Sequence, residues 1–172
     1  YFVDTPLASA TGVDGHPKTG SFLPPAPLPR RMWAAGKFTM AKPLVLGEIA
    51  EQTSTIKSVD LKTGKSGTLL FVTVEHNTRQ GGELCLSEEQ NIVYRDMPTG
   101  FAPLPAGEPA PMDADWQTEI VPDPVLLFRY SALTFNGHRI HYDRDYAVNT
   151  EFYPALVVHG PLLATLLAEL VA

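Results

Sequence analysis

Asn136, His138, His141 and Asp143 fall within eight residues, in the run TFNGHRIHYDRDYA, and Val157-Val158-His159-Gly160-Pro161 follows a short way on. An imidazole, with an ordinary pKa near 6.5, can give or take a proton at neutral pH. An amide can hold water or a carbonyl but accepts no proton there, and a carboxylate can either accept a proton or cap a helix. A helix opening at Gly160 would leave its first N–H groups without intrahelical acceptors, a natural place for negative charge. These residue types at this spacing point to proton transfer in a cleft where a helix end can steady an anion.

Something must hold such a polar loop in place. It lies between VLLFRYSALT (residues 125–134), an apolar run that reads as strand-like, and residues 160–172, where Leu162, Leu163, Leu166, Leu167 and Leu170 recur at spacings of one, three and four and predict a helix. Asp143 followed by RDYA predicts a helix N-cap and first turn, and YPALVV a short extended stretch. Burying a leucine is worth about 1.5–3 kcal/mol, so five of them left in water would cost on the order of 7–15 kcal/mol. The last helix therefore calls for a covering sheet, drawn from the first half, another chain or residues beyond Ala172.

The first half has a different texture. Residues 1–31 are broken by Gly and Pro, and the Pro run at 24–29 should lay Phe22, Leu23 and Leu28 over a neighbouring surface; His16 reads as a solvated turn residue. KFTMAKPLVL, EIAEQTSTIKSVDL, GTLLFVTVEHNTRQ and ELCLSEEQNIVYRD then predict four strands joined by short turns, with KTGKSG a hairpin signal, in an antiparallel meander. Glu75 and His76 are adjacent and point to opposite faces of a strand, which argues against a metal there. Residues 97–124, rich in Pro and Ala, predict a linker pinned at its end by Trp116 and Ile120. The chain thus reads as bipartite, with parts at 1–96, 97–124 and 125–172.

Composition narrows the function. A net charge of -6 with scattered Lys and Arg excludes a nucleic-acid partner, because phosphate binding needs clustered cations. No apolar run reaches the ~18 residues of a membrane span. The single Cys85 reads as a buried hydrophobe and fits a reducing cytoplasm. No phosphate-cradling Gly-rich loop, nucleophile elbow or metal-ligand spacing is present, so neither a metal nor a nicotinamide is expected.

TFNGHRIHYDRDYA followed by YPALVVHGPLLATLL is similar to the second half of the MaoC-like hydratases, and more closely to their branch of type-2 3-hydroxyacyl-thioester dehydratases and mesaconyl-CoA or itaconyl-CoA hydratases. FLPPAPLPRRMWAAGKF, KPLVLGE and GTLLFVTVEHN resemble the degenerate first half of the same proteins. The resemblance implies an α+β double hot-dog, each antiparallel sheet wrapped around a central helix, with the second half truncated here. It implies reversible addition of water to a 2-enoyl thioester or a small unsaturated dicarboxyl-CoA, with coenzyme A present only as part of the substrate. A homodimer or higher oligomer is expected.

By the same resemblance His141 is the general acid and base, and Gly160 offers the backbone N–H that polarises the thioester carbonyl. Most MaoC-like enzymes carry Asp where this chain has Asn136, so either His141 works alone while Asn136 positions water, or catalysis is weak or absent. Asp143 could supply the missing carboxylate, or it is the N-cap and no more. His138 and Arg139 either contact substrate and the phosphates of coenzyme A or face the loop, and His159 lines the site by bracing its turn. Tyr130, Tyr142 and Tyr153 line an acyl tunnel or belong to the core. Arg30 and Arg31 either pair with a substrate carboxylate or are solvated. Two rival functions remain, a hot-dog thioesterase and a non-catalytic acyl-thioester binding or partner subunit.

Overall fold

A computed structural model describes residues 5–64, 67–103, 106–110 and 112–171. It divides into two compact units, one of residues 19–97 and one joining the described residues up to Lys18 to those from Pro98 onward. The first holds the sheet, the second the helices.

The sheet comprises β1 (Arg30–Met40), β2 (Ala50–Gly64), β3 (Gly67–Gln80) and β4 (Glu83–Arg95). All pairings are antiparallel and the order is β1-β4-β3-β2. Only β2, β3 and β4 form a meander; β1 crosses to the far edge and pairs with β4, from Arg30↔Arg95 to Met40↔Leu86. That corrects the four-strand meander, because the irregular stretch after Met40 is long enough to carry the chain across the sheet. KPLVL, expected in the first strand, lies in that stretch, and Arg30 and Arg31 open β1, with Arg30 buried. Lys65 and Ser66, at the tip of the expected β2–β3 hairpin, lie outside the described residues.

Alternation by two sends Leu70, Val72 and Val74 of β3 to one face, where they meet Ile92 and Tyr94 of β4. Leu23, Ala26 and Leu28 of the Pro-rich segment pack on that cluster with Ile56, whereas Phe22 stays half exposed. Proline serves here because it fixes the backbone in an extended form that covers a sheet without needing ladder hydrogen bonds. This is a single hot-dog sheet, of the kind that wraps a central helix, and no second sheet occurs among the described residues.

In the other unit, α1 spans Pro124–Thr134, α2 Arg144–Asn149 and α3 Gly160–Leu170. VLLFRYSALT is therefore a helix and not a strand. Asp123 caps it, its carboxylate accepting from Leu126 N at 2.8 Å, and Pro124 takes the first helical position, where its missing N–H costs nothing. Trp116 and Ile120, expected to pin the end of the linker, are both exposed. No described helix is long and apolar enough to cross a membrane.

Leu70 sits in the buried cluster of the sheet, so Leu70→Ala should lower unfolding stability by about 2–5 kcal/mol. Urea unfolding followed by circular dichroism checks this; a loss under about 1 kcal/mol would mean that the cluster collapses around the gap.

Candidate active site

Local signals shape the loop that carries the site. Phe135 adopts the left-handed conformation at φ 53°, its N–H reaching back to Ala132 O, and Asn136 N donates to Ser131 O at 2.9 Å. The helix stops there and the chain reverses. The Asn136 side chain then accepts from His138 N at 3.1 Å, a turn in which the amide stands in for backbone. A short 3-10 turn follows at Arg139–His141, and Asp143 caps α2 by accepting from Tyr146 N at 3.1 Å. Capping is thus the observed work of Asp143. Arg139 Nε and Nη2 also donate to it, at 3.0 and 2.7 Å.

Two hydrogen bonds join this loop to the segment that leads into α3. Val157 N donates to Ile140 O at 3.0 Å, and His141 Nδ1 donates to Val157 O at 2.7 Å. YPALVV is accordingly tied down by loop contacts and is not a strand. His159, the residue capping α3, stacks on His141 with ring centroids 3.7 Å apart and planes at 22°. The ring of His141 therefore lies at the start of the last helix. Gly160 and Leu162 open that helix with N–H groups that have no intrahelical acceptor, Pro161 between them having none to offer.

The rings form a row. His16 lies 4.0 Å from His138, His138 stands edge-on to His141 at 5.3 Å, and Tyr130 meets the edge of His159 at 4.9 Å. Four of the chain's five histidines are thus gathered. Ser131 Oγ bonds His159 Nε2 at 2.8 Å, whereas His159 Nδ1 is buried with no partner. Glu151, 3% exposed, faces His138 Nε2 at 3.5 Å.

Burial sets the charge of the central pair. It pushes His141 down to about 4, against the opposing pull of the Val157 carbonyl and the Glu151 charge, with His138 adding to the depression. His159 is driven to about 3 by burial, then by its neighbours His141 and His138. Both rings are neutral at pH 7. Because a carbonyl oxygen can only accept, neutral His141 carries its hydrogen on Nδ1 and keeps Nε2 as a lone pair, the arrangement of a base.

The N-terminal arm completes the cluster. Arg139 N donates to Asp14 O at 2.9 Å and its Nη1 to Val13 O at 3.1 Å, while Asp14 bonds the His16 ring at 2.9 Å. Burial alone would raise the Asp14 carboxyl, but the bond and charge of His16 bring it below the ordinary value. Gly15, at φ 89°, lies so close to Gly137 that an added Cβ would stand 1.7 Å from its carbonyl oxygen. Asp14, His16 and His138 each offer one donor atom, all within 4.8 Å of one another, a set that could hold a divalent cation.

The structure brings His138, His141, His159 and Tyr130 together. Asn136 turns its carbonyl oxygen to its own loop, and Arg139 has every guanidinium nitrogen engaged while the group lies 4.2 Å over the Tyr146 ring. Tyr153 packs on Ile140, Tyr146 and Ala147, and Tyr142, partly exposed, donates to Gly137 O at 2.9 Å. Sequence reasoning missed Ser131, Glu151, Asp14 and His16. A lone serine in an apolar run and a lone acid after a helix were the available signals; DGH reads only as a turn.

Solved structures share this fold. HtdX from Mycobacterium tuberculosis superposes with a TM-score of 0.58 at 16% identity, over 80% of this chain and 53% of that one. A MaoC-like dehydratase gives 0.54 at 15%, over 78% and 52%. The fold is therefore the hot-dog fold of the MaoC-like proteins. Within it, the family model for hydroxyacyl-thioester dehydratase type 2 matches residues 1–172, and the chain belongs to that family. It is 50% identical over 174 residues to a mesaconyl-C(4)-CoA hydratase of Chloroflexus aurantiacus, covering 99% of this chain and 61% of that protein. It is 31% identical over 161 residues to a mitochondrial hydroxyacyl-thioester dehydratase type 2 of Schizosaccharomyces pombe, covering 81% and 53%. The chain thus spans between half and two thirds of these relatives' length.

The depressed histidines give stability a pH dependence. Unfolded, both rings bind protons below about 6.5; folded, they resist until about 4 and about 3. Between those limits the unfolded state holds more protons, so stability is full above pH 6.5 and falls as pH drops, by up to about 1.4 kcal/mol per pH unit for each ring. Urea midpoints at pH 7.5, 6 and 5 should decline in that order; a flat series would mean that the rings are hydrated.

Proposed function

We propose that this chain carries the catalytic loop of an acyl-thioester hydratase or dehydratase. The observation that carries the reading is the stacking of His141 on His159, which sets a neutral imidazole beside the first N–H groups of α3. In hydration, His141 Nε2 takes a proton from water as the oxygen bonds to Cβ of the enoyl thioester. The electron pair of the double bond moves to the thioester oxygen, where the N–H of Gly160 steadies it. The proton then passes to Cα. Dehydration is the reverse.

The relatives' names, mesaconyl-C(4)-CoA hydratase and hydroxyacyl-thioester dehydratase, support a 2-enoyl thioester or a small unsaturated dicarboxyl-CoA such as mesaconyl-CoA as substrate, and itaconyl-CoA is proposed beside it. His138, Arg139, Tyr130, Tyr153 and His159 are the side chains proposed around it, and for Arg139 such a contact competes with its bonds to Asp143 and Val13. In the same proposal the protein is a cytoplasmic homo-oligomer, a degenerate hot-dog half at 1–96 joins a catalytic half by the 97–124 linker, and the two make a double hot-dog. A second sheet there would cover the apolar face of α3, where Leu167 is 65% exposed.

Mixing the purified protein with crotonyl-CoA and with mesaconyl-CoA tests the reading. Loss of enoyl absorbance means hydration, release of free thiol means thioesterase, and binding without turnover means a partner subunit. His141→Ala should lower turnover by about 10²- to 10⁴-fold with the circular dichroism spectrum unchanged. Undiminished turnover in that variant would remove His141 from the mechanism. Asn136→Asp should keep or raise activity, since a carboxylate can still accept from His138 N; complete loss would show that the amide itself is needed.

A further inference from the structure

The arm sets two metal-binding side chains of one short turn against a third from the loop that carries His141. Gly12 N donates to His16 O at 2.7 Å and Lys18 N to Ala10 O at 2.8 Å, with Thr11 bridged to Pro17, so residues 10–18 close a small hairpin around Asp14. That hairpin is fastened to the loop. Arg139 N and Nη1 donate to Asp14 O and Val13 O, and Gly15 meets Gly137 with no room for a Cβ. His16 is thereby laid on His138, ring centroids 4.0 Å apart and planes tilted by 37°.

Imidazole nitrogen and carboxylate oxygen are donors that zinc takes at about 2.0–2.2 Å, in a tetrahedron whose corners are about 3.3 Å apart. The donor atoms of Asp14, His16 and His138 lie within 4.8 Å of one another, and His16 Nδ1 stands 2.9 Å from Asp14 Oδ2. Side-chain rotations on a backbone already held in place close the difference. An ion can also enter: the His16 and Asp14 side chains are 20% and 21% exposed, against 5% for His138. Behind His138, the Glu151 carboxyl stands 3.5 Å from Nε2, and a carboxyl in that position is the usual outer support of a metal-binding imidazole. The Arg139 guanidinium is paired with Asp143 at 2.7 Å and not with Asp14.

We propose that Asp14, His16 and His138 form a zinc site that fastens the N-terminal arm to the loop carrying His141, with water as the fourth ligand. The ion takes the place of the hydrogen between His16 Nδ1 and Asp14 Oδ2, and the His16 ring keeps a hydrogen on Nε2. His138 binds through the nitrogen that Glu151 does not face. The site goes beyond the hydratase reading and does not depend on it, since it needs no substrate. Ligand spacing along the sequence gave no sign of it, because the third ligand comes from the other end of the chain.

Zinc chloride titrated into the chelator-stripped chain, followed by calorimetry without substrate, should show saturable uptake of about one ion per chain. His16→Ala, Asp14→Asn and His138→Ala should each weaken it about tenfold or more. His76→Ala, which removes the histidine that lies on the sheet, should leave it unchanged. The unfolding temperature of the native chain should rise with added zinc, and that of His16→Ala should rise less. Absence of saturable uptake overturns the proposal, and so does equal affinity in His16→Ala, which would mean an adventitious ion only. If the variants do not fold, zinc-edge X-ray absorption of the loaded native chain decides: two imidazole ligands are required, and an ion surrounded by oxygen alone overturns the site.

Discussion

The hydrogen bond from His141 Nδ1 to the Val157 carbonyl is the constraint on which the site depends. It fixes the tautomer, because only one of the two ring nitrogens can face a carbonyl as a donor. It also fixes the place of the ring, since the neighbouring Val157 N to Ile140 O bond prevents the two segments from sliding past each other. His159 is two residues beyond Val157, so the same tie brings its ring flat against that of His141 and sets where α3 starts. Ring position, stack and helix end follow from one pair of bonds. Burial then keeps both rings uncharged, and a neutral His141 is able to accept a proton.

The arm serves that arrangement from outside. Gly15 and Gly137 meet back to back at a distance that only hydrogen side chains permit, and Gly15 also adopts a positive φ that other residues reach at a cost. The close approach lets Asp14 and Val13 accept from Arg139 and lays His16 on His138. A row of polar rings in low dielectric is stable only when most of its members are satisfied, and the arm satisfies those at one end. At the other end His159 Nδ1 is left without a partner, a buried polar atom whose cost the fold carries beside the His141 ring.

What could be read from the residues was what is local. The leucine spacing located α3, Asp143 announced α2, and the cluster at 136–143 together with HG at 159–160 marked the loop and the helix end that the structure joins. The failures were of two kinds. VLLFRYSALT is apolar at neighbouring positions without a clean period of two or 3.6, and the Asp-Pro pair just before it, a helix start, was absorbed into the linker. Long-range pairing left no trace either: nothing in RRMWAAGKFTM says that its partner is β4 and not β2, and nothing in VDGH says that it docks 126 residues away on Arg139.

Position 136 joins the two kinds of information. The MaoC-like resemblance leads one to look for an acid there, and the amide could be taken for a lost function. In three dimensions the side chain closes a turn on His138 N, a task for which an amide oxygen and a carboxylate oxygen are equivalent. The exchange therefore leaves the loop intact and changes only the charge. A buried carboxyl group is still found in the row of rings, that of Glu151, which stands beside His138 on a different element. The cluster is defined by which polar groups meet around the His141 and His138 rings, and residues far apart along the chain, Asp14 and Glu151 among them, bring their carboxyl groups to it.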